Sequence, residues 1–288
     1  MPAYYPDTPE IRGDLADYAI EVEYYDTQIG RALALLEQHG LLETTLVIAT
    51  SDHGAASYAG NIEKATFAQY RSMQALGHYS SGIYRGFKFS VYEGGRRVPF
   101  VARWPEVIAK GSVCDQLIGL QDVFATFAQV AGQALEEDQG VDSVSLLPLF
   151  TDPNGASGRE TMIQSSVRSW AIREGHWKLC LCPGSGCPGT HGNVPPQEEA
   201  YREAMEAFGK RPAREDLLRA PFVQLFNLAV DPTESMNLAS RHPDRVAAMI
   251  KIFDDQWAAG RSTPGGPQKN DRQNLNYLGG VPEFVRSR

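Results

Sequence analysis

The chain has 288 residues, 42% of them apolar and 22% charged, which excludes a disordered or fibrous protein and leaves enough material for a sizeable core. Its 27 basic against 35 acidic side chains give a net charge of −8, so a general affinity for nucleic acid or anionic lipid is not expected, and any bound anion must be met by a local pocket. No window approaches the ~20 continuous apolar residues of a membrane span, and the stretch from Met1 to Asp7 has neither the basic nor the apolar region of a signal peptide.

From Asp14 to Gln38 the apolar residues Leu15, Tyr18, Val22, Tyr25, Ile29, Leu33 and Leu36 recur in steps of three and four, which predicts a helix with one buried stripe, ended by Gly40. Thr45 to Thr50 is β-branched and apolar without polar alternation, the pattern of a strand covered on both faces in a parallel sheet. Asn61 is placed to cap a helix running to Leu76, Val98 to Trp104 reads as a strand, and Asp122 is placed to cap a helix from Val123 to Ala131. Between Gly132 and Arg159 the composition turns to Gly, Asp, Ser and Pro around one apolar island, Leu146 to Phe150, as in a surface crossing between domains. Beyond it, Ser169 to Arg173 and His176 to Cys182 flank a two-residue hairpin signal at Glu174-Gly175, and Val223 to Leu228 adds another short strand. A last amphipathic helix starts at His242-Pro243-Asp244 and runs through Trp257, before a polar tail from Gly260 to Arg288. The expected division is therefore an α/β unit over residues 1–155 and a small antiparallel-sheet and helix unit over 156–288.

Two stretches carry candidate chemistry. Ser51-Asp52-His53-Gly54 follows the apolar strand directly, and ligand sites of open α/β sheets lie beyond the carboxyl ends of strands. Asp52 and His53 offer an oxygen and a nitrogen donor to a hard divalent cation; the plainer reading is an Asp capping a turn beside a solvated His. The second stretch runs from Gly77 through His78 and Arg85-Gly86-Phe87-Lys88 to Glu93-Gly94-Gly95-Arg96-Arg97-Val98-Pro99-Phe100. Its glycines allow close approach of main chain, and Lys88 is a compact positive charge suited to an oxyanion; the plainer reading is a surface loop with solvated cations.

Thr45 to Gly54, Tyr84 to Lys88 with Tyr92 to Phe100, and Arg103-Trp104-Pro105 together closely resemble the C-terminal half of arylsulfatase-type sulfatases, and Gly260 to Gly265 resembles the ending of a bacterial, arylsulfatase A-like branch. The resemblance continues through Asp122 to Phe127, Asp142-Ser143 with Leu146-Leu147-Pro148, Ala171 to Leu179, and Leu225 to Leu228 with Asp231-Pro232-Thr233-Glu234. It implies an alkaline-phosphatase-like α/β sandwich, a partial parallel sheet flanked by helices, with a small C-terminal α+β domain holding an antiparallel sheet. It implies a sulfuric ester hydrolase that uses one Ca2+ ion, with Asp52 and His53 as metal ligands, Lys88 as the catalytic contact to sulfate and His78 as a further substrate contact. Sulfated small-molecule or carbohydrate substrates, a formylglycine-generating or anaerobic sulfatase-maturating enzyme as partner, and a periplasmic or extracellular location belong to the same implication.

The sequence also departs from that family. The nucleophile is expected as a formylglycine made in a Cys/Ser-x-Pro-x-Arg motif, yet none of Cys114, Cys180, Cys182 or Cys187 has Pro two places on, and Ser262 before Pro264 has Gly266 where Arg is needed. The nucleophile and the first-half metal ligands are thus expected upstream, which makes the chain the C-terminal portion of an enzyme, inactive by itself. Cys180, Cys182, Cys187 and His191 lack the usual zinc spacing and match a loop after the hairpin, so a disulfide or free thiols are expected there. Two other readings remain at this point: a metal-dependent phosphodiesterase or phosphonate hydrolase of the alkaline phosphatase superfamily, against which Arg85 to Lys88 and Glu93 to Gly95 argue, and a non-catalytic truncated fragment.

Overall fold

The computed structural model describes residues 6–56, 80–166, 169–182, 185 and 223–270. The helix expected from Asn61 to Leu76 lies outside these residues, as do His78, Cys187 and His191. Helix α1 (Pro9–Gln38) starts five residues earlier than the periodicity predicts, because Thr8 accepts the Ile11 N–H at 3.3 Å and Pro9, lacking an N–H, suits the first turn. The stripe is present but not buried as expected. Ile11 is fully covered and Leu15, Ile29, Leu33 and Leu36 are half-covered, whereas Tyr18 and Tyr25 are 68% and 50% exposed and Val22 is also open to solvent. Periodicity places residues on one face of a helix; burial of that face requires a packed partner, which periodicity does not report.

Strand β1 (Val47–Thr50) pairs with β2 (Phe100–Arg103) in register Val47↔Arg103 through Thr50↔Phe100. This pairing is antiparallel, where the unbroken apolar run predicts a parallel neighbour, and β1 is half-buried. Between the two strands comes α2 (Glu93–Arg96), a single turn buried at Glu93, Gly94 and Gly95. Helix α3 (Asp122–Val130) and the short α4 (Leu147–Thr151) follow. Leu146, Leu149 and Phe150 pack with Leu46, Phe100, Ala102 and Trp104, so the apolar island of the crossing is a core in its own right over β1 and β2.

Asp122 does not cap α3 as expected, since Gln121 holds that position without a side-chain bond. Its buried carboxylate instead accepts the N–H groups of Gly119 at 2.8 Å and Val144 at 2.9 Å and meets the buried Arg159 guanidinium through both oxygens. Arg159 also donates to the Asp142 carbonyl at 2.7 Å, so one ion pair staples the middle and the far end of the crossing to the start of α3.

Strands β3 (Thr161–Ser165), β4 (Trp170–Glu174), β5 (Trp177–Cys180) and β6 (Gln224–Asn227) form an antiparallel sheet in that order. The hairpin is tight, and Glu174↔Trp177 pairing places its loop at Gly175-His176, one residue later than predicted, with Gly175 at φ 55°. Strand alternation sends Ile172, Leu179 and Leu225 to one face, where Met249 and Phe253 of α5 (Pro243–Ala259) cover them, each such side chain contributing roughly 1.5–3 kcal/mol on burial. Ala171, Cys180 and Phe226 point to the opposite face and pack on Val91 and Tyr92, just before α2. The sheet therefore lies between α5 and the segment that leads into the candidate site.

Asp122→Ala strands a buried guanidinium and is expected to lower the unfolding free energy by about 3–5 kcal/mol, whereas Gly30→Ala, with open space around it on α1, is expected to raise it by about 1 kcal/mol. Urea unfolding midpoints of the two variants check both signs.

Candidate functional site

Three backbone segments meet at the end of β1. The Gly54 N–H donates to the Gly95 carbonyl at 3.2 Å, the Lys88 N–H to the Ala55 carbonyl at 2.9 Å, and the Gly94 N–H to the Arg85 carbonyl at 2.7 Å. This stitching needs glycine: a Cβ at Gly54 would overlap the Gly94 carbonyl, one at Gly94 the carbonyls of Arg85 and Gly86, and one at Gly95 the Phe87 carbonyl. Lys88 itself sits between Gly86 at φ 81° and Phe89 at φ 75°, a left-handed conformation that costs a bulky residue energy and persists where surroundings impose it. The structure thus brings the main chain of Lys88 against the loop that carries Asp52 and His53.

Asp52 is 81% exposed at its side chain, and its Oδ2 lies 3.1 Å from His53 Nε2. His53 Nδ1 lies 2.9 Å from the Gly54 carbonyl, which only accepts, so Nδ1 carries a proton. In the neutral ring Nε2 then presents a lone pair to a carboxylate oxygen, an arrangement made favourable by a second ring proton or by a cation shared between the two atoms. The pair therefore fits one side of a hard divalent cation. Two donors are well short of the roughly 6–8 oxygens that calcium takes, and no group of three or more potential ligands occurs among the described residues. Asp52 also lines a cleft of about 1670 Å³ together with Glu93, Arg96, Arg97, Phe100 and Trp170, while His53 and Lys88 do not line it.

Behind the stitched loops lies a buried charge cluster that the sequence reading did not single out. Lys178 on β5 points to the same sheet face as Cys180, is completely buried, and places Nζ 2.9 Å from both Glu93 Oε1 and Glu234 Oε1. Arg173 stands directly across from Lys178 in the sheet register, and Glu93 Oε2 lies 3.5 Å from its Nη1, so one carboxylate faces both cations. The second carboxylate reaches the site by main chain too: Glu234 Oε2 accepts the Glu93 N–H at 2.6 Å, and the Glu234 carbonyl accepts from Arg85 Nη1 at 2.8 Å. Arg85 is buried over the Tyr92 ring, 4.1 Å from its centroid, and the Tyr92 hydroxyl donates to Gln224 at 2.7 Å. The one legible signal was a lysine at an inward-facing position of a short apolar strand, where a cation requires a buried partner.

Cys180 and Cys182 lie on this same side of the sheet, and burial pushes the Cys180 thiol up and that of Cys182 to about 12, away from the reactive thiolate form.

The α/β part with its glycine-stitched loops and the four-stranded sheet define an alkaline-phosphatase-like chain, and the solved structures similar to it are sulfatases of that fold. Residues 1–133 match the family model described as Sulfatase. The chain is 31% identical over 230 residues to N-acetylgalactosamine-6-O-sulfatase of Bacteroides thetaiotaomicron, a match covering 80% of this chain and 39% of that protein. It is 29% identical over 273 residues to human steryl-sulfatase, covering 90% of this chain and 42% of the relative. A solved structure from work on glycosaminoglycan metabolism by Bacteroides thetaiotaomicron superposes with a TM-score of 0.60 at 28% identity, covering 80% of this chain and 42% of that one. The chain is similar to sulfatases along most of its length, and it spans about two fifths of the length of the curated relatives it matches. No helix among the described residues is long and apolar enough to cross a membrane.

Two carboxylates compete for Lys178, and they divide. Burial pushes the Glu234 carboxyl up to about 6 against the pull of Lys178, with the charge on Glu93 adding to the rise. Burial also raises Glu93, but Lys178 and Arg173 outweigh it and hold Glu93 below the usual carboxylate value. Burial lowers Lys178, and Glu234 and Glu93 more than reverse that, so it stays charged. Because the folded state holds the Glu234 proton up to about pH 6 and the unfolded chain only to about 4.5, the folded state binds more protons in that window, and stability falls as pH rises through it. Unfolding free energies measured from pH 4.5 to 6.5 are expected to lose on the order of 2 kcal/mol from this group, and Glu234→Gln is expected to remove that loss.

Proposed function

We propose that the chain carries one part of a sulfate-monoester hydrolase site, in which Asp52 and His53 hold one side of a divalent cation and Lys88 meets the sulfuryl oxygens. The observation that supports this reading most directly is the stitching of the Lys88 main chain to Ala55, two residues beyond His53, by a 2.9 Å hydrogen bond. It brings the main chain of Lys88 beside the loop that carries Asp52 and His53, and a substrate anion at that strand end needs both a cation and an ammonium group.

Lys88 neutralises charge on the oxygens of the transferring group, as a compact ammonium held by the left-handed turn at Phe89. The Nδ1 proton of His53, spent on the Gly54 carbonyl, leaves Nε2 for the cation. When bound, Ca2+ supplies Lewis-acid charge at the sulfuryl oxygens. The nucleophile, read from the family resemblance as a formylglycine, belongs in this proposal to the whole protein, as do the remaining ligands.

Sulfated carbohydrates are the substrate class we favour, because the bacterial relative named above is an N-acetylgalactosamine-6-O-sulfatase. The same reading gives the whole protein a maturating enzyme as partner, a periplasmic or extracellular location, His78 as an added substrate contact, and a boundary near residue 155 between the site-bearing unit and the antiparallel-sheet unit.

Calcium titration by calorimetry and an aryl sulfate assay test the proposal on the chain alone and mixed with a sulfatase first half carrying formylglycine. The expected result is no tight calcium binding and no turnover for the chain alone, turnover in the mixture, and a loss of about 10²-fold or more for Lys88→Ala in the mixture. Hydrolysis by the chain alone, or a mixture indifferent to Lys88, overturns it.

A further inference from the structure

We propose that Glu93, Lys178 and Glu234 are positioning residues for Lys88, forming a buried ionic clasp through which the four-stranded sheet sets the conformation of the loop that carries it. This deepens the proposed function and rests on its reading of Lys88 as the sulfate contact.

The geometry has three parts. The base is Lys178, fixed by the β4–β5–β6 register with Arg173 and Phe226 as its cross-strand neighbours. The clasp is the turn after β6. Asp231 accepts from the Thr233 hydroxyl at 2.8 Å, from the Ser235 N–H and hydroxyl at 3.1 and 3.0 Å, and from the Met236 N–H at 2.8 Å. That carboxylate organises the turn around Glu234, which stands at φ 51°, a left-handed conformation rare for a residue with a side chain. The third part is the loop itself, gripped at both ends by this one residue: Arg85 at its start bonds the Glu234 carbonyl, and Glu93 at its end gives its N–H to the Glu234 carboxylate. The Gly94 to Arg85 bond closes the loop, and Lys88 lies at its crest with its N–H on Ala55.

Net stabilisation is a poor explanation for this arrangement. Removing a lysine and two carboxylates from water costs several kcal/mol per ion, and apolar replacements of equal volume often serve stability as well or better. Directional bonds add what the packing of Phe87, Val91 and Tyr92 does not supply: they fix the path of the main chain between Arg85 and Gly94.

The test is site-resolved amide hydrogen exchange on this chain, comparing wild type with Glu234→Gln, which keeps the shape, and Lys178→Met, which removes the shared cation. Expected is exchange at least about tenfold faster at the Lys88 and Gly94 N–H groups in either variant. The Leu181 and Leu228 N–H groups, bonded to the Trp170 and His176 carbonyls in the sheet, are expected to stay within about twofold. Unchanged exchange at Lys88 and Gly94, or an equal rise at all four amides, overturns the proposal; should Lys178→Met fail to fold, the isosteric Glu234→Gln decides. A parallel titration with inorganic sulfate, followed at the Lys88 side chain, separates this from the underlying reading. If sulfate leaves Lys88 unperturbed while the exchange pattern holds, the role of Lys88 fails and the clasp stands. If sulfate binds at Lys88 while exchange is unchanged, the clasp fails alone.

Discussion

A fully buried lysine with two glutamates at 2.9 Å joins the two halves of this molecule. Lys178 belongs to the sheet, Glu93 to the turn beside the candidate site, and Glu234 to the loop after β6. A charge at that depth is tolerable only with ionised partners in fixed places, so the position of each segment constrains the other two. The apolar contacts around the cluster agree with it. Ala171, Cys180 and Phe226 reach the same side of the sheet and meet Val91 and Tyr92, so the segment entering α2 is held by packing as well as by charge.

The candidate site is made chiefly of main chain. Gly54, Gly94 and Gly95 sit where a methyl group would overlap a carbonyl, and this lets the end of β1 and two segments of the later loop exchange hydrogen bonds directly. Such a site adds close backbone contact to the packing of the buried Phe87, Val91 and Tyr92. The left-handed residues Phe89 and Glu234, one beside Lys88 and one behind it, mark where surrounding structure holds the chain in conformations it does not prefer.

A second buried pair, Asp122 with Arg159, does comparable work by tying the crossing segment to α3. Its carboxylate was readable as a helix cap because Asp at the start of a helix usually serves there. The structure instead turns it inward, since a nearby guanidinium and two main-chain N–H groups offer a carboxylate stronger bonds than a single cap.

Local information accounts for much of what was legible. Helix α5, beginning at Pro243 and ending at Gly260 in the left-handed conformation, the hairpin within one residue, β2, and the Ser51 to Gly54 loop after β1 all follow from short-range rules of capping, turns and alternation. Some of the motifs that resemble sulfatases lie in those same segments, so the similarity to that family was also contained in the sequence. Three things were decided only in three dimensions. The direction of the β1–β2 pairing depends on which strand arrives beside β1, and the exposure of Tyr18 and Tyr25 depends on what packs against α1. The third, the meeting of Glu93, Lys178 and Glu234, joins residues 85 and 141 positions from Glu93 along the chain. Sequence pattern specifies which face of an element a residue occupies; which charges share a buried space is set by long-range packing, and there the cost of an unpaired ion selects the partners.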